Sequence, residues 1–175
     1  MLKTPASSSP AQAGARTLDP VLFREGMSRV AAAVHVVTTD GPSGLAGFTA
    51  TAVTPVTDSP AALLVCVNTA ARSAQALLSN GVFCVNVLGD SDRALADVFA
   101  GRTGLNGPDR FSKGEWGTLV TGAPALATSL VSFDCRLSDA RVVATHHVIV
   151  GEILGIRLGE AKPALVYQRR LYHKL

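Results

Sequence analysis

From Leu22 to Val30 apolar residues recur at helical spacing, with Leu22, Phe23, Met27 and Val30 on one face. Asp19-Pro20 ahead of them supplies a capping carboxylate and then a residue whose φ is already helical. The spacing predicts a helix that packs on a sheet. At Ala33 the pattern changes: Val34 to Thr39, the turn-rich Asp40 to Gly44, and Leu45 to Val56 read as a β-hairpin with a five-residue loop. Ala61 to Val67 is a further strand, Ser73 to Leu78 a short helix stopped by Asn80-Gly81, and Val82 to Leu88 the next strand. A second short helix spans Ser91 to Ala100. The polar, glycine-punctuated stretch from Gly101 to Gly117 is as long as ordered connections usually become, which favours a place in a site over a mobile linker. Strands follow at Leu130 to Leu137, Ala140 to Thr145, Val148 to Arg157 and Ala164 to Tyr167.

Many short strands with few helices and no βαβ rhythm predict a mainly β protein with flanking helices. An antiparallel barrel suits that pattern better than a doubly wound sheet. Met1 to Thr17, rich in Ser, Ala and Pro, has no apolar periodicity to offset the entropy of ordering and reads as a disordered tail before one domain over 18–175.

Composition narrows the function. A chain of 175 residues, 47% hydrophobic and 17% charged, can bury one core. With only 5% aromatic residues, a subunit interface would help to cover its apolar surface. The formal charge of +3 is scattered, without a basic stripe interleaved with aromatics, so nucleic acid is not the expected partner. Cys66, Cys84 and Cys135 sit in apolar runs at spacings that match neither a disulfide framework nor a zinc site. No secretory signal pattern or bilayer-length apolar run is present, and the expectation is a soluble cytoplasmic protein.

The candidate site lies where bulk is missing. Thr49-Ala-Thr-Ala52 covers little surface for a strand, which leaves room for a flat polar ligand against exposed amides. Asn68 to Ser73 then opens a helix whose first amides, with the cation of Arg72, suit a phosphate. The alternatives stay open at this point: Arg72 and Ser73 as a solvated cation beside an N-cap, the threonine hydroxyls in water, and Asn68 as the start of a turn. His146 and His147 are adjacent on a strand and point to opposite faces, so they cannot share one metal from one side. His35, between Val34 and Val36, reads as structural. No nucleophile elbow, carboxylate cluster or Gly-x-Gly-x-x-Gly turn is present, so a borrowed cofactor would carry any chemistry.

Several motifs in order carry a resemblance: Phe23-Arg-Glu-Gly-Met-Ser-Arg29, Val36-Val-Thr-Thr39, Gly47-Phe-Thr-Ala-Thr-Ala-Val53 and Val65-Cys-Val-Asn68. Phe83-Cys-Val-Asn-Val-Leu88, Arg110-Phe111, His146 with Gly151, and Tyr167 to Tyr172 extend it. The chain resembles the short flavin reductases that serve two-component flavin-dependent monooxygenases, such as the reductase component of 4-hydroxyphenylacetate 3-monooxygenase. The resemblance implies a homodimeric, Greek-key, FMN-binding split β-barrel. Its activity would be NAD(P)H-dependent reduction of FMN or FAD, with NADH or NADPH as hydride donor and a partner monooxygenase receiving the reduced flavin. It also implies the flavin-binding set Thr49, Ala50, Thr51, Ala52, Val53, Cys66, Val67, Asn68, Thr69, Ala70, Arg72, Ser73, Phe83, Ala100 and Arg110. His146, as the catalytic candidate, and Tyr172 would border the nicotinamide. Where relatives carry Asp before that histidine, this chain has Thr145. A non-catalytic flavin carrier or store is the competing reading.

Overall fold

Strands β2 (His35–Thr39), β3 (Ala46–Ala50), β4 (Val53–Asp58), β5 (Ala61–Asn68), β6 (Val82–Val87), β9 (Val131–Val143) and β10 (His146–Leu158) form one antiparallel sheet in the order β3-β2-β6-β9-β10-β5-β4. The computed structural model describes residues 18–175, and the expected tail over 1–17 lies outside the described residues. β3 and β4 stand at opposite ends of that order, yet only Thr51 and Ala52 separate them in the chain. Such a short link obliges the sheet to curl until its two ends meet, giving a split barrel. The step from β5 to β6 passes over β10 and β9, a Greek-key crossover that carries helix α2 (Arg72–Asn80).

The small elements complete two further layers. β1 (Ala32–Ala33) pairs with β11 (Leu165–Gln168), which pairs with β12 (Leu171–Lys174), and β7 (Trp116–Thr118) pairs with β8 (Pro124–Leu126). Inside the barrel, Ala74 and Leu77 of α2 join Val37, Leu63, Val65, Phe83, Val85 and Ile149 in one buried cluster. Gly151 belongs to that packing, because a Cβ there would lie 2.3 Å from the Phe83 ring. On the other face of β2 and β6, helix α3 (Arg93–Phe99) buries Leu95, Ala96, Val98 and Phe99 against Val34, Val36, Leu88 and Leu126. Phe99 meets Phe111 and Trp116 edge to face, and those two are tilted against each other, with centroids 5.0 to 5.5 Å apart.

Three expectations are corrected. Helix α1 (Pro20–Ser28) forms with its Asp19 cap, whose carboxylate accepts the Val21 amide at 2.8 Å, but it buries none of its residues and leaves Leu22, Phe23 and Met27 more than half exposed. Instead it hangs on the β11–β12 turn through Arg170 to Glu25, Gln168 to the Arg29 carbonyl, and the Arg169 amide to the Ser28 carbonyl. The expected strand from Leu45 to Val56 breaks at Thr51 and Ala52, where the chain leaves β2 and joins β5. The expected pair Leu130 to Leu137 and Ala140 to Thr145 is the single strand β9, which stays paired with β10 through register shifts at Val150/Gly151 and Ile153/Gly155. Among the described residues no helix is long and apolar enough to cross a membrane.

Candidate functional site

The break in the barrel opens onto a cavity of about 950 Å³, at the upper end of the range for ligand pockets. Its floor is β3 with the Thr51-Ala52 link, one wall is Cys66 to Asn68 with the first turns of α2, and the other is Phe99, Ala100, Asn106, Gly107 and Arg110. Apart from Phe48, the floor carries only small side chains. Gly47 sits so near Phe99 that an added Cβ would fall 2.8 Å from its ring, so only glycine lets β3 lie against α3 here.

Side chains from behind hold that floor. The Thr49 hydroxyl donates to the Ala96 carbonyl at 2.7 Å, which ties β3 to α3 and commits the hydroxyl proton away from the cavity. The Arg110 guanidinium donates to the carbonyls of Leu105, Gly47 and Phe99 at 3.1 to 3.4 Å and staples the loop after α3 to β3. His35 Nδ1 lies 3.3 Å from the Ala50 carbonyl. Burial pushes the imidazole below its ordinary pKa, partly offset by hydrogen bonds to the Ala50 and Ala33 backbone.

The start of α2 is the polar end. Its N-cap is Ala71, extended at φ −74° and ψ 122°, and among the described residues no side chain caps the helix. The amides at that end, the exposed Arg72 and the half-buried Ser73 therefore face the cavity with the helix's positive pole. Among the described residues Arg72 makes no ion pair. An anion here would complete the cap that the sequence omits. Asn68 Oδ1 accepts the Ala70 amide at 2.8 Å, so this residue both builds the turn into α2 and lines the cavity.

Thr49, Ala50, Thr51, Ala52, Cys66, Val67, Asn68, Arg72, Ser73, Ala100 and Arg110 are brought together on the cavity wall. Phe83 is not: it is fully buried in the barrel core, on the inward side of β6. Val53 opens β4 against the same core, and Thr69 is turned to the Thr145 carbonyl, which accepts from its amide at 3.0 Å. Ala70 is exposed on the turn. His146 pairs in register with Asn68, its Nδ1 3.0 Å from Thr145 Oγ1, at the rim and outside the wall. Tyr172 occupies a neighbouring recess of about 170 Å³ that shares Thr49, Ala50, Thr51 and Ala100 with the cavity. There it meets Tyr167 edge to face at 5.3 Å, with the Arg93 and Arg102 guanidinium carbons 5.5 and 5.6 Å from its ring. Burial raises the pKa of its phenol.

Sequence reasoning missed Gly47, Ala76 and Phe99 among the lining residues, and reached Asn106 and Gly107 only as part of the stretch from Gly101 to Gly117. Ala76 lies one turn on from Arg72 and Ser73, and helical spacing alone would have found it. Phe99 and Asn106 reach the cavity only through the tertiary placement of α3 and the loop after it. Cys84 and Cys135 are buried free thiols, that of Cys84 pushed up to about 12 by burial, whereas Cys66 is half-buried on the wall. Among the described residues no cluster of His, Cys, Asp or Glu could hold a metal ion.

Residues 27–175 match the family model described as flavin reductase like domain. The chain belongs to the flavin reductase-like family. It is 46% identical over 164 residues to the FMN reductase (NADH) RutF 1 of Methylorubrum extorquens, covering 94% of this chain and 81% of that protein. Among solved flavin reductases, BorF, the reductase component of a bacterial two-component tryptophan halogenase, superposes with a TM-score of 0.83 at 32% identity over 90% of this chain and 98% of BorF. The NADH:FAD oxidoreductase SgcE6 of Streptomyces globisporus reaches a TM-score of 0.81 at 25% identity over 92% and 97% of the two chains. The family's split-barrel fold is thus the fold found here.

Proposed function

We propose that this protein reduces free FMN with NADH and releases the reduced flavin to a partner monooxygenase. The observation that carries the reading is the pairing of a floor of small side chains with an uncapped helix start beside Arg72, in one cavity of flavin size. The residues present fit a flavin nucleotide: the floor admits a flat ring and the α2 start admits a phosphate. When bound, the flavin accepts a hydride from the nicotinamide.

The protein's share is placement. Small side chains on β3 let the ring approach the backbone, and Ala52, Cys66 and Val67 border the opposite edge. Holding two rings in near-attack geometry is worth about 7 to 11 kcal/mol in favourable cases. Backbone amides in the Thr49 to Val53 segment, and the half-buried Arg110, stabilise negative charge that develops on the ring. His146, at the rim opposite Asn68, and Tyr172, in the adjoining recess, border the nicotinamide side. The exposed apolar face of α1 is covered by a second copy of the chain, which makes the working unit a homodimer.

Anaerobic mixing of purified protein with NADH and excess FMN tests the reading. Steady bleaching of flavin absorbance at a rate proportional to enzyme supports it; binding without bleaching supports a flavin carrier or store instead. Parallel runs with FAD and NADPH rank the alternative substrates, and sedimentation velocity reports the dimer.

A further inference from the structure

We infer that His35 is a positioning residue for the flavin site: its Nδ1–H braces the last carbonyl of β3 and so keeps the Thr51 amide aimed at the ring. The inference rests on the flavin reading above. His35 is 7% exposed, stands opposite Ala50 in the β2–β3 register, and places Nδ1 3.3 Å from the Ala50 carbonyl. A carbonyl can only accept, so the contact requires the proton on Nδ1.

The consequence follows from peptide geometry. The Ala50 carbonyl and the Thr51 N–H belong to one planar trans unit and point in opposite directions. Among the described residues β3 is paired on one side only, with β2. The Ala50 carbonyl faces β2 in the ladder, where the His35 ring braces it, so the Thr51 amide points to the unpaired edge, and Thr51 is a residue of the cavity wall. Two residues on, the chain is fixed again, because the Ala52 carbonyl accepts the Cys66 amide at 3.0 Å. Thr51 is thus suspended between two anchored carbonyls, one held by β5 backbone and the other at the frayed end of the β2–β3 ladder, where a side chain braces it. The small side chains of the floor have little bulk with which to set its orientation. That lack explains why a buried imidazole, which is unfavourable among Val34, Val36 and Val37, is placed here.

Three measurements on the full-length protein test this. In the unmodified protein, imidazole nitrogen NMR is expected to find His35 in the Nδ1–H tautomer, and the Nε2–H tautomer would overturn the inference whatever the variants do. His35→Leu is expected to weaken FMN affinity about five- to tenfold, the scale of one lost positioning hydrogen bond, with KM for NADH changed less than about twofold. His35→Asn, whose amide nitrogen falls where Nδ1 lies, is expected to restore FMN affinity to within about threefold. FMN is also expected to shift the Thr51 amide resonance downfield in the unmodified protein and in His35→Asn, and not in His35→Leu. A folded His35→Leu that binds FMN normally, or an Asn variant as weak as the Leu variant, would overturn the inference. Absence of FMN binding by the unmodified protein would instead remove the flavin reading itself.

Discussion

Strand β6 is paired on both edges, with β2 and β9, while β3 is paired with β2 alone and runs along the cavity. β6 buries Phe83, Cys84, Val85 and Asn86 completely and satisfies its own polar atoms. Asn86 Nδ2 donates to the Val36 carbonyl at 3.1 Å, and its Oδ1 accepts from the Leu126 amide and the Ser132 hydroxyl at 2.8 and 2.9 Å. β3 keeps little volume for itself, and its position is set by Thr49 on α3, Arg110 on the following loop and His35 behind it. The two strands share a neighbour and divide the labour. One supplies packing, and the other withholds volume so that a ligand can take it, at the expense of needing support from elsewhere.

The contrast can be broken most forcefully at Phe83. Phe83→Ala is expected to lower folding stability by about 3 to 5 kcal/mol, read from denaturant midpoints, because Gly151 leaves the ring no flexible neighbour to fill the gap. The folded fraction should keep its FMN affinity. A variant of unchanged stability with weakened flavin binding would move Phe83 from core to site. Ala76→Trp tests the opposite half: the side chain enters the cavity from α2 and should lower FMN affinity by about 3 kcal/mol, the upper range for forcing volume into a filled space, with stability little changed. Equal losses in binding and stability would mean that Ala76 belongs to the core instead. Arg72→Ala comes next, with an expected loss of about 1 to 3 kcal/mol in FMN affinity and none in stability, since the residue is exposed. Titration with riboflavin, which lacks the phosphate, should not distinguish this variant from the parent protein, and a difference there would place the phosphate elsewhere.

The same division explains what could be read along the chain. β6, β5 and α2 were legible because their patterns are local: an apolar run between turns, or a helix stopped by Gly81, whose left-handed φ of 69° suits glycine. The floor was legible for the converse reason, as small and hydroxylated residues stand out where a strand should be bulky. Phe83 misled because a large aromatic on the neighbouring strand looks alike whether it faces a ligand or a core, and only Gly151 across the barrel decides between them. Phe99 was silent, because the curl of the sheet brings it to the site, whereas Asn106 and the short helical turn at Gly107–Ser112 were legible only as part of a glycine-punctuated stretch too long for a plain connection. α1 was read correctly as a helix and wrongly as packed, since periodicity identifies an apolar face without naming what covers it. His35 carries no local signal of its role; its partner lies on a different strand.

The mildest probe of the comparison is pH. In the unfolded chain His35 takes up a proton near its ordinary value of 6.5, whereas in the fold burial holds the imidazole neutral to lower pH. Between those two values the unfolded state binds more protons, so stability must fall as pH falls below about 6.5 and must be complete above it. The loss is about 1.4 kcal/mol for each unit by which burial depresses the pKa. Urea midpoints at pH 7.5 and 5.0 for the parent protein and His35→Asn isolate this contribution. His146, His147 and His173 are present in both proteins, so they cancel in the difference. The parent should lose more stability on acidification than the variant, while the folded fraction keeps its flavin affinity, because the imidazolium retains the Nδ1–H that faces the Ala50 carbonyl. Parallel pH curves would mean that the imidazole is as easily protonated in the fold as in the open chain.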